Sequence, residues 1–346
     1  MRARSAEPAP IADAPRREPE LYDLLEKGSR TFALTIPLLP QPLRDAMGIA
    51  YLLMRAADTL EDTEGWSRVH RITCLLEFAA LTGAGCAPLA CSELLVRIGA
   101  LDCVRDAGHR EVLGELPFLA EQLAGLPTAL QAPILEHVER VARRMALWVD
   151  AHDDQERLEL VRLRELDDYC YAVAGIVGEM ITDLLAAWDP SLPPPIERGL
   201  QATAVDFGVG LQLVNILKDS WRDAQAGRRY VPRGFLPRGD GTEPERLDPV
   251  VRLALDRLSR GVEYTMLLPV QHQGVRRFCL LPLLLAGDSL LEVRRRAGEL
   301  VTGGDVKIDR AAVMGRVAQT LECAGDNDAI RVLWAALRYD LELVLA

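Results

Sequence analysis

The sequence predicts an all-α fold, and three observations favour it. Of the 346 residues, 49% are hydrophobic, and apolar residues recur with helical spacing through most of the chain. Runs of alternating β-branched residues, the usual sign of a half-buried strand, are scarce. The length allows one large domain or two ordinary ones. We predict one helical domain over residues 21–346, preceded by a disordered leader over residues 1–20 that is rich in Ala, Pro, Arg and Glu.

Clusters of Gly and Pro divide the predicted helices in order along the chain. They lie at residues 83–85, 126–127, 189–195, 234–241 and 303–304. The Pro-rich segment 190–195 is a candidate domain boundary, but if the two acidic motifs on its two sides serve one cavity, it only connects two helices. The last segment, 330–346, is amphipathic, which favours packing on the core over lying on a membrane.

Charge and cysteine usage exclude several classes of function. The formal net charge of −11 argues against a nucleic-acid partner, since duplex binding relies on cations that neutralise phosphates. Seven Cys without Cys-x-x-Cys or His/Cys ligand spacing indicate a reducing cytoplasm rather than disulfides or zinc. No segment reaches the ~20 apolar residues that span a bilayer. We expect a soluble cytoplasmic protein with, at most, peripheral membrane contact.

Aspartates four residues apart are the most informative feature of this chain. Five such pairs occur: Asp58/Asp62, Asp102/Asp106, Asp150/Asp154, Asp219/Asp223 and Asp305/Asp309. About two are expected by chance, so the spacing alone proves little. The first and fourth pairs each end an apolar helical stretch, whereas the other three follow turn-like or charged segments. We predict that those three are solvated surface.

Each of the two chosen pairs continues a polar stripe along its predicted helix. Tyr51 and Arg55 precede Asp58 at helical spacing, and Glu61 adjoins Asp62. In the second motif the stripe comprises Gln212, Asn215, Asp219 and Asp223. The two stripes are therefore predicted to form opposite walls of one site.

Paired carboxylates on one helical face require a counter-charge. Like charges at this spacing destabilise a helix by roughly 0.2–0.5 kcal/mol, and partial burial strengthens the repulsion. Mg²⁺ prefers oxygen ligands, usually takes one or two protein carboxylates and completes its shell with water and phosphate oxygens. Asp58, Asp62, Asp219 and Asp223 are therefore candidate Mg²⁺ ligands.

Basic residues beside both motifs provide what a diphosphate needs in addition to metal. Arg55 lies one turn before Asp58, and Lys218 adjoins Asp219. Arg228 follows the second motif, and Ser29, Arg30 and Thr31 begin another helical segment. Arg offers phosphate a planar fork of donors and Lys a compact charge. Any one of them is equally consistent with a surface cation or a salt bridge, but their joint placement favours diphosphate binding.

Gly175 and Gly178 lie in a segment that otherwise has a helical pattern. Each costs about 1 kcal/mol relative to Ala inside a helix, so a compensating interaction is expected. Close helix packing and room for a long apolar ligand are both consistent with the pattern.

Four motifs together carry a family resemblance. They are Ser29-Arg-Thr-Phe-Ala-Leu-Thr-Ile36, Tyr51-Leu-Leu-Met-Arg-Ala-Ala-Asp-Thr-Leu-Glu-Asp62, Tyr169-Cys-Tyr-Ala-Val-Ala-Gly-Ile-Val-Gly178, and Gly210-Leu-Gln-Leu-Val-Asn-Ile-Leu-Lys-Asp219 continued to Tyr230-Val-Pro232. In content and order they resemble the squalene and phytoene synthases, over roughly residues 25–310. The resemblance implies an isoprenoid synthase fold around a central cavity and the head-to-head condensation of two prenyl diphosphates.

The resemblance also implies roles for individual residues. Asp58, Asp62, Asp219 and Asp223 would be the metal carboxylates, supported by Glu61 and Asn215. Diphosphate would contact Ser29, Arg30, Thr31, Arg55, Lys218 and Arg228. Tyr169, with Tyr51 as a second candidate, would move a proton or shield a carbocation, and Arg55 would assist catalysis.

Within the family, two segments resemble the squalene-forming branch: residues 277–282 and 306–310. That branch uses two farnesyl diphosphates, Mg²⁺ and NADPH, and the resemblance alone suggests Phe278 and Lys307 for NADPH. Tyr171 is closer to the phytoene pattern, and Lys218 stands where Arg is common. Synthesis of phytoene, dehydrosqualene or presqualene diphosphate therefore stays open, as does a catalytically silent helical binding protein.

Overall fold

Helices account for most of the chain in the computed structural model, which describes residues 18–29, 31–304 and 306–346. The helices of the first half are α1 Glu18–Gly28, α2 Phe32–Thr35, α3 Leu43–Asp62, α4 Arg68–Gly83, α5 Pro88–Ile98, α6 Ala107–Gly114, α7 Leu116–Ala124 and α8 Thr128–Asp150. Those of the second half are α9 Leu163–Cys170, α10 Ile176–Trp188, α11 Pro194–Gln225, α12 Asp248–Leu267, α13 Gln273–Arg295, α14 Glu299–Thr302, α15 Arg310–Cys323 and α16 Asn327–Leu345. The predicted all-α class is confirmed.

Non-α elements are short. Four 3₁₀ turns cover Ile36–Leu38, Leu101–Cys103, Arg233–Phe235 and Pro244–Leu247, and a π-helical turn, Tyr171–Gly175, joins α9 to α10. Two strands of two residues each, β1 Leu158–Glu159 and β2 Arg228–Arg229, pair in parallel with Leu158 opposite Arg228. This bridge connects two segments that are 70 residues apart in sequence and lie next to the candidate site.

The helical spacing of α3 separates a core face from a polar face. Leu43, Met47, Ala50 and Leu60 are among its buried residues, and they face α1, α4, α7, α8 and α10. Tyr51, Arg55, Asp58 and Asp62 occupy the other face, as their spacing predicts. Burying the apolar face gives roughly 25 cal/mol per Å² of apolar surface removed from water, so packing fixes the direction of the polar face.

The opposite wall is built on α11, which packs against α10, α12 and α13. Its residues Phe207, Leu213, Val214 and Leu217 are buried, while Asp219 and Asp223 lie on a more accessible face near its end. The Pro-rich segment after α10 leads directly into α11, and these two helices pack together. It therefore connects two helices that pack against each other.

Gly178 and Gly208 bring α10 and α11 into backbone contact. A Cβ atom at Gly178 would overlap the carbonyl oxygen of Ala204, and one at Gly208 would overlap that of Ala174. A Cβ atom at Gly175 would lie 2.7 Å from Cδ2 of Tyr171. Close packing is therefore what compensates for these glycines.

We predict that Gly208→Ala destabilises the fold. The added methyl must push two helix backbones apart, and overpacking of this kind typically lowers the free energy of unfolding by about 1–3 kcal/mol. Chemical denaturation measures the change. Gly315→Ala in α15 is the matched control, since a Cβ atom there meets nothing within 4 Å and is expected to stabilise by about 0.5 kcal/mol. Equal stability of Gly208→Ala and Gly315→Ala would contradict the packing role.

Three of the five aspartate pairs were predicted to be surface. Asp102, Asp150 and Asp154 are exposed, and exposed Asp106 and Asp309 cap α6 and α15 by accepting backbone hydrogen bonds of 2.9 and 2.7 Å. The prediction is confirmed for these five residues, while Asp305 lies outside the described part of the chain.

The predictions for the two ends of the chain have different outcomes. Residues 1–17 lie outside the described residues, so the predicted leader stays a prediction, and α1 begins at Glu18, within the span predicted for that leader. At the other end α16 packs on α12 and α13 and buries Ile330, Trp334, Leu337 and Leu341. The amphipathic last segment thus belongs to the core.

Two described stretches are long and apolar enough to cross a membrane by length and composition, namely Leu163–Trp188 and Pro194–Gln225. By that criterion the prediction that no segment qualifies is wrong. The most apolar windows are 56% and 67% buried, and core helices of soluble proteins pass the same test. The finding is therefore weak evidence for a membrane span.

Candidate active site

The two acidic motifs line one pocket of about 420 Å³, which we call the polar pocket. Its wall comprises Arg55, Asp58, Glu61, Asp62, Tyr169, Val173, Gln212, Asn215, Ile216, Lys218, Asp219, Arg222, Asp223, Arg228 and Tyr230. Both stripes predicted from the sequence thus face the same space, one from α3 and one from α11.

On the α3 wall, Tyr51 and Arg55 form a chain of contacts that ends at the first aspartate. The Tyr51 hydroxyl donates to the Gly28 carbonyl oxygen at 2.8 Å and accepts from Arg55 Nη2 at 2.7 Å. Arg55 Nη1 lies 3.0 Å from Asp58 Oδ2. Tyr51 therefore fixes Arg55, and its own proton is engaged by the backbone.

On the α11 wall, the carboxylate of Asp219 lies between two cations. Lys218 Nζ donates to Asp219 Oδ2, and Arg222 Nη1 lies 3.4 Å from Oδ1. Asp223, one turn further on, has no ion pair within 4.0 Å among the described residues. Asp219 is thus paired directly with cations, whereas Asp223 has no such partner among the described residues.

Arg228 joins the two walls. It lies on β2, whose pairing with β1 fixes the backbone, and its Nη1 lies 3.0 Å from Asp62 Oδ1 on α3. Tyr230 follows it at i+2, on the same side of the extended chain, and stacks on Tyr169 with ring centroids 4.5 Å apart. The Tyr169 hydroxyl donates to that of Tyr230 at 3.1 Å.

Burial and crowding shift the protonation equilibria of the acidic groups. Burial raises the pKa of Asp58 to about 6, with Arg55 opposing the rise and Asp62 adding to it. Burial also raises the pKa of Asp223 to about 7, where Arg228 opposes and Asp219 reinforces the shift. The pKa of Glu61 lies well above its usual range because of burial and the nearby charge of Asp62. Burial, reinforced by neighbouring carboxylates, thus disfavours the charged forms of these acids.

Tyr169 is not a free base in this environment. Burial, and then the charge of Glu61, raises the pKa of its phenol well above the ordinary value. The pKa of Tyr230 is raised in the same way by burial and by Asp62. Both phenols therefore hold their protons at neutral pH and act as donors or as aromatic surfaces.

Two cations of the pocket retain unused donors. Arg55 Nε and Arg228 Nε are buried, and neither has a hydrogen-bond partner among the described residues. A buried unsatisfied N–H is costly, and a guanidinium binds phosphate oxygens well. These donors fit an anion with several oxygens.

The donor set also fits Mg²⁺ bound together with such an anion. The described residues contain no cluster of three or more His, Cys, Asp or Glu side chains that holds a metal by itself. Mg²⁺ does not need one, because it usually takes one or two carboxylates and completes its shell with water and phosphate oxygens. Asp58/Asp62 and Asp219/Asp223 provide carboxylates in that number on each wall.

An apolar cavity of about 180 Å³ continues from the polar pocket, and Arg55, Asp58, Val173, Gln212 and Asn215 line both. The remainder of its wall comprises Phe32, Ile36, Met47, Tyr51, Met54, Val141, Ala174, Val177, Gly178, Met180, Ile181, Phe207, Gly208, Leu211 and Phe278. The site is therefore charged at one end and apolar at the other.

A third space, which we call the groove, adjoins both. It measures about 870 Å³ and is lined by Thr31, Phe32, Leu34, Leu211, Val214, Asn215, Lys218, Pro282, Leu285, Ala286, Ser289, Val306, Lys307, Ile308, Arg310 and Val313. Lys307 thus lies on the groove, whereas Phe278 is buried in the apolar cavity with its ring centroid 6.2 Å from that of Phe32. The two residues suggested for NADPH line different spaces.

The remaining predicted contacts are dispersed. Thr31 lies on the groove, and Ser29 Oγ accepts from Phe32 N, at the start of α2, at 3.0 Å. Arg30 lies outside the described residues. Of the six predicted diphosphate contacts, the polar pocket brings together Arg55, Lys218 and Arg228.

Sequence reasoning assigned no role to Tyr230 and did not consider Arg222. Tyr230 lies two residues after Arg228, the spacing of one face of a strand, and Arg222 lies three residues after Asp219, the spacing of one helical face. Both spacings were visible in the sequence.

Comparison with known proteins agrees with this geometry. The sequence profile described as squalene/phytoene synthase matches residues 25–312. The squalene synthase of Homo sapiens is 28% identical over 278 residues, which cover 77% of this chain and 61% of the relative. That of Yarrowia lipolytica is 32% identical over 216 residues, which cover 61% of this chain and 44% of the relative. The chain therefore spans less than two thirds of the length of these relatives.

Solved structures show the same fold. TcSQS in complex with the ligand BPH1237 superposes with a TM-score of 0.75 at 24% identity, covering 93% of this chain and 90% of the other. A dehydrosqualene synthase in complex with ligand gives a TM-score of 0.55 at 18% identity, over 88% and 95% of the two chains. The profile match, which extends over most of the chain, identifies the family: this protein belongs to the squalene/phytoene synthases.

Proposed function

We propose that this enzyme joins two farnesyl diphosphates head to head to form presqualene diphosphate and reduces that product with NADPH to squalene. The observation that supports the proposal most directly is the polar pocket. Two opposed carboxylate pairs and four cations lie at one end of an apolar cavity. That arrangement suits a substrate with a diphosphate head and a hydrocarbon tail.

The cations of the polar pocket would exchange partners when substrate binds. Arg55, Lys218 and Arg228 each contact a carboxylate in this structure. A diphosphate offers them more negative charge and more acceptor oxygens. Asp58, Asp62, Asp219 and Asp223 would hold Mg²⁺, and the bound ion would supply positive charge for these carboxylates and for the leaving group. Glu61 would support this set from the α3 wall and Asn215 from the α11 wall.

The aromatic pair Tyr169 and Tyr230 would protect the allylic cation after diphosphate leaves. Trp148 packs edge-on against Tyr169 at 5.5 Å, so the stacked pair is held in place. Aromatic faces attract positive charge and exclude water. Because the Tyr169 phenol keeps its proton and donates it to Tyr230, we assign the proton lost during cyclopropane formation to the released diphosphate, and Tyr169 would act through its ring.

The apolar cavity would hold the hydrocarbon chains. Phe32, Met47 and Val177 line it, and the close α10/α11 contact at Gly178 and Gly208 forms another part of its wall. Such a surface gives binding energy in proportion to the apolar area buried and imposes few directional contacts. The substrate orientation therefore depends on the charged end of the site.

The groove fits the phosphates of NADPH by its charge. Lys218, Lys307 and Arg310 line it, and Lys218 also lies on the polar pocket. NADPH bound there would supply the hydride that captures the final cation. Phe278, on the apolar cavity, would contact the hydrocarbon rather than the cofactor phosphates.

We also propose a cytoplasmic location with peripheral membrane contact. All seven cysteines are free thiols, as expected for a reducing compartment. Leu34, which is 52% exposed, lies on the groove and offers an apolar edge for release of a water-insoluble product.

Product analysis tests the proposal. Purified protein is incubated with farnesyl diphosphate and Mg²⁺, with and without NADPH, and the extracted products are identified by mass spectrometry. Squalene that forms only with NADPH supports both steps. If presqualene diphosphate or dehydrosqualene forms in both reactions, the site assignment stands and the reductive step is wrong. Phytoene formed from a longer diphosphate would mean that the substrate is different. No reaction would indicate a silent binding protein.

A further inference from the structure

Arg71 is a buried cation outside the polar pocket that the proposed chemistry does not use. It lies on α4 and is 6% exposed, and its guanidinium contacts two different parts of the chain. Nη1 donates to the carbonyl oxygen of Glu61 at 2.9 Å, and Nη2 donates to Glu156 Oε2 at 3.0 Å. Glu61 lies between Asp58 and Asp62, so Arg71 holds the end of the α3 wall.

Glu156 is held in a defined position at the other end of this contact. Its Oε1 accepts from Arg68 N at 2.9 Å, and its backbone has φ +58°, a left-handed conformation that non-glycine residues seldom adopt. The loop that contains Glu156 is therefore held in one conformation by these contacts. It fixes the chain two residues before β1.

The β1/β2 bridge carries this position to Arg228. Leu158 N donates to the Gly227 carbonyl oxygen at 3.0 Å, and Leu160 N donates to that of Arg229 at 3.0 Å. These two bonds flank Arg228, whose Nη1 then reaches Asp62. These contacts link the end of α3 to Arg71, Glu156 and the bridge, and the bridge is linked back to α3 by the Arg228–Asp62 ion pair.

We propose that Arg71 is a positioning residue that sets the separation of Asp62 and Arg228 across the polar pocket. It is not itself a lining residue of the polar pocket, and it acts through its contacts with the Glu61 backbone and the Glu156 loop. Misplacement of a contact by about 1 Å costs up to roughly a hundredfold in rate, so a brace of this kind affects turnover. This inference rests on the proposed function, because it assigns Arg228 to the leaving diphosphate.

Glu156→Gln tests the brace at its exposed end. The Glu156 side chain is 44% exposed, so the variant is expected to fold, and the amide keeps an acceptor for Arg68 N while losing the charge that holds Arg71. We expect kcat/KM for diphosphate release to fall by about tenfold, as for supporting residues around other sites. The matched control is Glu77→Gln. Glu77 lies on α4, the helix that carries Arg71, and its exposed ion pair with Arg97 is lost in this variant, which is expected to leave turnover unchanged.

A double-mutant cycle with Arg228→Gln separates positioning from plain stability. If Arg71 and Glu156 act through Arg228, Glu156→Gln causes no further loss in the Arg228→Gln background. The inference would be overturned if Glu156→Gln lowered kcat/KM by the same factor in the wild-type and Arg228→Gln backgrounds. It would also be overturned if Glu156→Gln alone kept wild-type turnover.

Calorimetric binding of inorganic diphosphate with Mg²⁺ is the readout that does not need turnover. Weaker binding by Glu156→Gln than by Glu77→Gln supports the brace even if farnesyl diphosphate proves not to be the substrate. Equal binding by the two variants counts against it. Failure of the proposed function shows instead in the wild-type protein, as absence of product.

Discussion

Asp219→Asn is expected to lower diphosphate release by roughly a thousandfold, the scale on which a charge-stabilising group contributes to turnover. Asn keeps the size of the side chain and removes the negative charge that a metal ion needs. Asp219 is also the residue that two cations of the α11 wall contact, so its neutralisation leaves Lys218 and Arg222 without their partner. Steady-state release of diphosphate from farnesyl diphosphate, measured over a range of Mg²⁺ concentrations, gives the result.

Asp154→Asn is the control for that experiment. Asp154 belongs to an aspartate pair with the same four-residue spacing, but it is exposed and lies outside the polar pocket. Its replacement is expected to leave turnover within about twofold of wild type, as for most surface substitutions. If Asp219→Asn also retains full turnover, the metal assignment on α11 is wrong.

Arg228→Gln has the second largest expected effect, a loss in kcat/KM of roughly a hundredfold. The variant removes a guanidinium that contacts Asp62 and lies near Asp223 and Glu61. Without it these carboxylates have less compensating charge. We therefore expect Mg²⁺ alone, with no substrate, to raise the thermal midpoint of Arg228→Gln more than that of the wild type.

Arg229→Gln is the matched control for this second effect. Arg229 is the next residue of the same short strand but lines a different pocket, together with Trp221 and Arg233. Its replacement removes the same charge from the other side of the strand. Equal Mg²⁺-dependent stabilisation of the two variants would mean that net charge, rather than the position of Arg228, is responsible.

What the sequence predicted well is local. Helical spacing identified the polar stripes of α3 and α11, since the side-chain direction repeats every 3.6 residues. It also separated the pairs at Asp58 and Asp219 from surface aspartates such as Asp102 and Asp154. Their arrangement as opposite walls follows from packing that hydrophobic spacing encodes.

What the sequence did not show is which distant segments contact one another. The position of Arg228 and Tyr230 comes from a strand bridge to Leu158, and two strands of two residues leave no periodic signal. The same bridge connects Arg228 to Arg71 through Glu156. Sequence separations of this size are not visible in composition or spacing.

The glycine segment shows a different limit. The residues alone left two explanations open, and only the neighbouring helix distinguishes them, because the atoms that a Cβ would meet belong to Ala204 on α11. Likewise, Phe278 and Lys307 were paired by resemblance, yet the fold places them on separate surfaces. A family resemblance suggests a role for each residue separately and does not give the distance between two such residues in the fold.

The π-helical turn at Tyr171–Gly175 changes which faces of its helix point the same way. In an unbroken α-helix, residues nine apart point about 180° away from each other. Tyr169 and Gly178 have that separation, yet Tyr169 lines the pocket between α3 and α11 and Gly178 contacts α11. The wider turn takes up about one residue of rotation, which reduces the angular offset to roughly 80°. Deleting one residue from this turn would leave eight ordinary helical steps between the two positions, which give the same offset of roughly 80°. Tyr169 is therefore expected to keep its direction, and only the wide turn is lost.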